Sequence, residues 1–171
     1  MSYLKENTQI ALHRLAQVLT ARGLTISCAE SCTGGGLAYA FTALPGSSAW
    51  FERSAVTYAN IAKTQMVNVP ESTLQRYGAV SAETVEAMAV GVVTQLSADI
   101  GISISGVAGP DGGSDEKPVG TVWFGFALPG QVSTVQRCFV GDREAIRKQA
   151  IEFAIETVVQ LLIKTDQKLS R

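Results

Sequence analysis

Leu24-Thr25-Ile26-Ser27-Cys28-Ala29-Glu30-Ser31-Cys32-Thr33-Gly34-Gly35-Gly36 decides how the rest of the chain is read. The first five residues alternate apolar and polar, the period-two pattern of a strand. The residues from Ser31 onward are small, carry hydroxyl or thiol groups or no side chain, and run into a helix from Leu37. A strand that turns into a helix in this way leaves free backbone N–H groups at the helix start. Those groups can hold an anion or an oxyanion. Two adjacent nucleophiles, Ser31 and Cys32, stand at the same turn, so the question becomes what activates either of them.

Working outward, residues 8 to 22 read as a helix with Ala11, Leu12, Leu15, Val18 and Leu19 on one face, closed by Gly23. His13, the only histidine, falls on the opposite, polar face. Beyond Pro45-Gly46-Ser47-Ser48, residues 54 to 58 read as a strand and residues 61 to 66 as a short helix. Pro70 suits the first turn of a further helix that Gly78 ends. Ser81 caps a helix running to about Leu96, with Val85, Met88, Ala89, Val92 and Val93 inward. Residues 99 to 105 alternate Ile100, Ile102 and Ile104 with Gly101, Ser103 and Ser105, another strand pattern. A long loop from Gly106 to Pro118 follows, and loops of this length are often functional. Residues 120 to 127 and 132 to 139 form a hairpin about Pro129-Gly130. A final helix over residues 143 to 163 carries the stripe Ala150, Ile151, Ala154, Ile155, Val158 and Leu162. Alternating strands and helices closed by a hairpin predict an α/β fold with a mixed sheet and helices on both faces.

The chain has 171 residues, 46% hydrophobic and only 17% charged, which suits one compact domain spanning residues 1 to 171. Its formal net charge of −1 offers no basic face, so nucleic acid is excluded as an expected partner. No apolar run reaches the length of a bilayer span, and the N-terminal residues lack the apolar core of a signal peptide. Cys28 and Cys32 are four apart, but a zinc site would need two more Cys or His ligands, no second paired spacing exists and His13 is the only histidine, so no metal is expected. A reduced, cytoplasmic enzyme or binding domain is the expectation.

A serine nucleophile needs a base, and the lone histidine is badly placed for a Ser-His-Asp triad. Lysine is the alternative once burial lowers its pKa. Of six lysines, Lys63 alone follows a strand end, in Thr57-Tyr58-Ala59-Asn60-Ile61-Ala62-Lys63. If that strand neighbours the first, Tyr58 and Lys63 face Ser31 across the strand ends; otherwise they are a packed tyrosine and a surface lysine. Glu30, Lys63 and Cys32 also have the residue types of a Glu-Lys-Cys amidase, against the reading of Cys32 as a small buried thiol. Ser105-Gly106-Val107-Ala108-Gly109-Pro110-Asp111-Gly112-Gly113 follows a strand and lets backbone approach a ligand closely. It matches neither a Walker A loop nor a dinucleotide fingerprint. Gly141-Asp142-Arg143-Glu144-Ala145-Ile146-Arg147 opens the last helix with Asp142 as cap. Arg143 and Arg147, one turn apart, can hold a phosphate jointly or pair with surface acids.

Six segments occur together in one order: Ala29 to Gly35, Val56-Thr57-Tyr58 through Lys63, Gly78-Ala79-Val80-Ser81, Ser103 to Gly113, Lys117-Pro118-Val119-Gly120-Thr121-Val122-Trp123, and Gly141-Asp142-Arg143. This set closely resembles the CinA C-terminal domain family over nearly the whole chain, from about Leu12 to Leu162. The resemblance implies a single three-layer α/β/α domain that forms homodimers or larger homo-oligomers. It implies hydrolysis of the carboxamide of nicotinamide mononucleotide to nicotinate mononucleotide and ammonia, a step of pyridine nucleotide salvage, with no cofactor. It carries Ser31 over as nucleophile, Lys63 as general base and Tyr58 as part of the proton network. Glu30, Cys32, Thr33, Gly34, Gly35, Asn60, Ser105, Gly106, Gly109, Arg143 and Arg147 are then expected to line the substrate pocket, with the arginines at the phosphate. The rival from another class is a nucleotide-binding or regulatory domain without turnover.

Overall fold

The computed structural model describes residues 3–169, and the side chains of residues 3–164. In chain order the elements are α1 (Glu6–Arg22), β1 (Ile26–Glu30), α2 (Gly36–Thr42), β2 (Ala55–Val56), α3 (Asn60–Val67), α4 (Glu71–Tyr77), α5 (Ala82–Gln95), β3 (Ile100–Gly106), β4 (Thr121–Leu128), β5 (Gln131–Cys138) and α6 (Arg143–Leu169). The strands form one five-stranded sheet in the order β2-β1-β3-β4-β5. β2 and β3 flank β1 in parallel, whereas β4 and β5 run antiparallel as a hairpin. The sheet is therefore mixed. α1, α2 and α6 cover one face, while α5 lies on the other with α3 and α4 against it. These are the three layers of an α/β/α fold.

The larger core lies beneath α1, α2 and α6. There Leu12, Leu15, Leu19, Ile155, Val158 and Leu162 meet Ile100, Ile102, Ile104, Phe124 and Phe126 from the sheet. Full burial of each such side chain contributes about 1.5–3 kcal/mol. α1 is further tied to α6 where the Lys5 amide donates to Glu152 at 2.8 Å and the Thr8 hydroxyl donates to Glu156.

Local features depart from the sequence expectations in three places. β1 begins at Ile26 and is buried at every position, because a central parallel strand has helices over both faces. β2 is two residues long instead of five, because the chain leaves the sheet at Thr57 to enter α3. Pro70 stands as the residue before α4, not within its first turn. On β3 the Gly101, Ser103 and Ser105 side is buried as deeply as the isoleucine side. A Cβ on Gly101 would lie 2.3 Å from the Ala89 carbonyl, and Ser103 donates to the Val85 carbonyl at 2.5 Å. α5 thus packs with its backbone almost against the strands, which only small residues permit.

Candidate active site

Ser31 is the first residue beyond β1. Its N–H donates to the Ile104 carbonyl of β3 at 2.9 Å, and the preceding Glu30 carbonyl accepts from Thr57 N–H at 2.8 Å. The serine is therefore fixed from both sides at the carboxyl ends of three parallel strands, where open α/β sheets place ligands. After it the chain turns tightly: Gly34 N–H donates to the Ser31 carbonyl at 3.0 Å and Gly36 N–H to the Thr33 carbonyl at 3.1 Å. Gly34 and Gly35 have φ of 58° and 94°, a left-handed path that side chains resist. Among the described residues the amides of Thr33 and Gly35 take no acceptor, which leaves them free to donate to a ligand, while the Cys32 amide meets its own thiol.

Glu30 does not line this site. It is 0% exposed, and its carboxylate accepts from Leu37 N–H at 3.0 Å and Ala38 N–H at 2.9 Å, with the Cys28 thiol also directed at it. The unpaired amides at the start of α2 attract the nearest carboxylate, so Glu30 holds the helix that follows Ser31.

Lys63, on the first turns of α3, is 1% exposed. Its Nζ lies 3.3 Å from Ser31 Oγ, 2.8 Å from the Thr57 carbonyl and 3.1 Å from the Tyr58 carbonyl. Carbonyls only accept, so they take two N–H donors of the amine. In the neutral amine the remaining position is a lone pair, and it faces the one partner that has a proton to give. Burial lowers the Lys63 pKa from the ordinary lysine value of 10.5, with a smaller opposing effect from Cys32. Both geometry and desolvation favour a base.

Cys32 is in the opposite situation. Its thiol is buried, and desolvation pushes its pKa up to about 12, reinforced by Glu30 and partly offset by its own backbone N–H, Arg147 and Arg143. The thiolate that a cysteine mechanism needs is disfavoured here.

Tyr58 is 60% exposed, and its hydroxyl accepts from Arg143 Nη2 at 3.1 Å, so it is the tyrosine backbone that touches Lys63. Arg143 Nη1 donates to the Gly109 carbonyl at 2.7 Å, linking α6 to the glycine-rich loop after β3. Arg147 Nη2 donates to the Thr33 carbonyl at 3.0 Å. Among the described residues neither arginine pairs with a carboxylate, and Asp142 caps α6 by accepting from Ala145 N–H at 2.9 Å. Ser105 is buried and donates to the Ala79 carbonyl at 2.7 Å, fixing the approach to α5, and Gly106 packs against Thr121 and Val122. Thr33 is fully buried with its hydroxyl unpartnered. Asn60 borders a separate cleft of about 300 Å³ with Ile61, Thr64, Glu71, Leu74 and Gln75, which includes no residue of the Ser31 turn. Among the described residues no three His, Cys, Asp or Glu side chains group as a metal would require. Nor is any helix among them long and apolar enough to cross a membrane.

Thr57 and Ile104 were not singled out from the sequence, yet their carbonyls hold Lys63 and Ser31. Both act through main chain, so their side-chain identities carry no sign of it.

The model of the CinA C-terminal domain family matches residues 8–162. The chain belongs to that family. Among relatives of this CinA domain, nicotinamide-nucleotide amidohydrolase PncC of Enterobacter agglomerans is 54% identical over 158 residues, covering 90% of this chain and 96% of that protein. The protein of the same name from Escherichia coli strain K12 is 53% identical over 152 residues, covering 88% and 92%. The crystal structure of competence/damage inducible protein CihA from Agrobacterium tumefaciens matches this CinA domain with a TM-score of 0.90 at 38% identity, covering 94% of this chain and 99% of that one.

Proposed function

We propose that this CinA domain hydrolyses the carboxamide of nicotinamide mononucleotide to nicotinate mononucleotide and ammonia, the activity in the names of its amidohydrolase relatives. The observation that carries the mechanism is Lys63 Nζ at 3.3 Å from Ser31 Oγ, with its other donors held by two carbonyls.

Neutral Lys63 takes the hydroxyl proton as Ser31 attacks the amide carbon. Oxygen of the tetrahedral intermediate is met by free amides of the Cys32–Gly35 turn, each donor worth about 3 kcal/mol. Lys63 returns its proton to the nitrogen, the C–N bond breaks, and ammonia leaves. Water, deprotonated by Lys63, then hydrolyses the acyl-serine and regenerates the hydroxyl. The cationic pyridinium of the substrate disfavours protonation of the nearby amine and so helps keep it a base. Arg143 anchors the phosphate: the tyrosine hydroxyl it holds is a neutral partner that a phosphate oxygen replaces with a stronger, charge-assisted bond.

Buried Cys28 and Cys32 and exposed Cys138 are all free thiols, which suits a reducing, cytoplasmic setting. Exposed Val56, Ile61 and Met66 beside the open edge of β2 suit self-association into a homodimer or larger homo-oligomer.

The test is ammonia release from nicotinamide mononucleotide by the wild type, Ser31→Ala and Lys63→Ala. Turnover abolished by both substitutions in folded protein supports the reading. Mononucleotide binding without any wild-type turnover refutes it in favour of a binding domain.

A further inference from the structure

We propose that Arg147 is the positioning residue of the Ser31–Gly35 turn, clamping the Thr33 carbonyl so that the neighbouring amides stay aimed at the oxyanion, and that it does not anchor the phosphate. The proposal rests on Ser31 being the nucleophile.

The Thr33 carbonyl accepts from Gly36 N–H at 3.1 Å and from Arg147 Nη2 at 3.0 Å, which uses both of its lone pairs. The same peptide unit donates at its other end, from Gly34 N–H to the Ser31 carbonyl at 3.0 Å. A planar peptide held at both ends cannot rotate, and the units on either side of it carry the Thr33 and Gly35 amides. Such a hold is needed here. Gly34 and Gly35 sit at φ of 58° and 94° and have no side chains to oppose a peptide flip. The Gly34 and Gly36 bonds come from within the turn and move with it, so Arg147 supplies the contact that ties it to the rest of the fold.

Arg147 is also poorly suited to reach a solvent-borne phosphate. It is half-buried, its Nε is enclosed without a partner, and its guanidinium lies over the turn, with Nη2 3.5 Å from where a Cβ on Gly34 would be. Arg143, one helical turn earlier, is exposed. The two arginines of α6 therefore divide the work. Arg143 faces the ligand and Arg147 fixes the machinery, while its charge beside the turn favours a developing oxyanion.

The experiment compares wild type, Arg147→Met, Arg147→Lys and Arg143→Met in two assays. One is ammonia release from nicotinamide mononucleotide and from its riboside. The other is acetylation of Ser31 by p-nitrophenyl acetate, an activated ester that needs no phosphate site, located by peptide mass. For Arg147→Met the expected result is a fall of roughly 10- to 100-fold in both the acetylation rate and kcat, with KM nearly unchanged on both substrates. Added guanidinium ion, below denaturing concentration, is expected to restore part of the rate. Arg147→Lys should fall less, with the same unchanged KM, and it decides the matter if the Met variant does not fold. A rise in KM confined to the mononucleotide, or acetylation at the wild-type rate in a folded variant, overturns the proposal. Wild type that acetylates at Ser31 but releases no ammonia refutes the proposed substrate alone, and the acetylation assay still decides on Arg147. Wild type that never acetylates at Ser31 overturns the clamp together with the nucleophile.

Discussion

Arg143 joins α6 to the start of α3 by donating from Nη2 to the Tyr58 hydroxyl at 3.1 Å, while its Nη1 holds the Gly109 carbonyl at 2.7 Å. The tyrosine hydroxyl is thereby committed to a cation, and Lys63 touches only the tyrosine main chain.

Tyr58→Phe keeps that main-chain contact and removes one exposed hydrogen bond. Its kcat should stay within about tenfold of wild type, since an exposed bond of this kind contributes on the order of 1 kcal/mol. Arg143→Ala should raise KM for the mononucleotide far more than for the riboside. Steady-state ammonia assays on both substrates measure this. A Tyr58→Phe variant as inactive as Lys63→Ala would put the hydroxyl back on the proton path.

In the proposed mechanism Lys63 must be neutral to accept the serine proton, and burial lowers its pKa from 10.5. Activity should therefore rise with pH along a limb whose midpoint lies below that value, and be lost as pH falls through it. The limb for kcat should lie lower than the limb for kcat/KM, because bound substrate adds its own positive charge beside the amine. Coincident limbs at the ordinary lysine value would contradict a desolvated base.

Cys32→Ala should remain active, since its thiol is pushed up to about 12 and is buried. Iodoacetamide should label exposed Cys138 in folded protein and leave turnover intact, with peptide mass spectrometry locating the label. Loss of activity in Cys32→Ala at unchanged stability would favour the cysteine mechanism.

Glu30→Ala should destabilise the protein by about 2 kcal/mol or more, because it leaves the buried Leu37 and half-buried Ala38 amides without an acceptor. Urea denaturation checks the size. Activity per folded molecule should also drop, since α2 and the turn before it lose their anchor.

The layered fold was legible because its elements announce themselves locally: the Leu12-Leu15-Leu19 stripe, the Ser81 cap and the Pro129-Gly130 hairpin each follow from short-range chemistry. Ser31 and Lys63 were legible as a pair only on the assumption that their strands are neighbours, which is how β1 and β2 lie. The side-chain partners were less legible. Arg143 and Arg147 share a face and a residue type, and nothing in the spacing separates a ligand-facing guanidinium from one turned onto Thr33. Glu30 stands beside Ser31 in sequence, but adjacent residues along an extended chain point to opposite sides, and its side chain lies under α2. The length of β2 was not legible because Thr57 and Tyr58 are good strand residues that tertiary context diverts to hold Lys63.

Lys63 is grasped by carbonyls only five and six positions before it, so the residues from Thr57 to Lys63 build the socket for their own amine. What relates that socket to Ser31 is the rung from Thr57 N–H to the carbonyl of the residue just before it, Glu30, at 2.8 Å. The separation of Lys63 from Ser31 is thus gauged by the spacing of two adjacent strands, a dimension that the backbone of every sheet reproduces and that side-chain substitution elsewhere in the molecule can hardly alter.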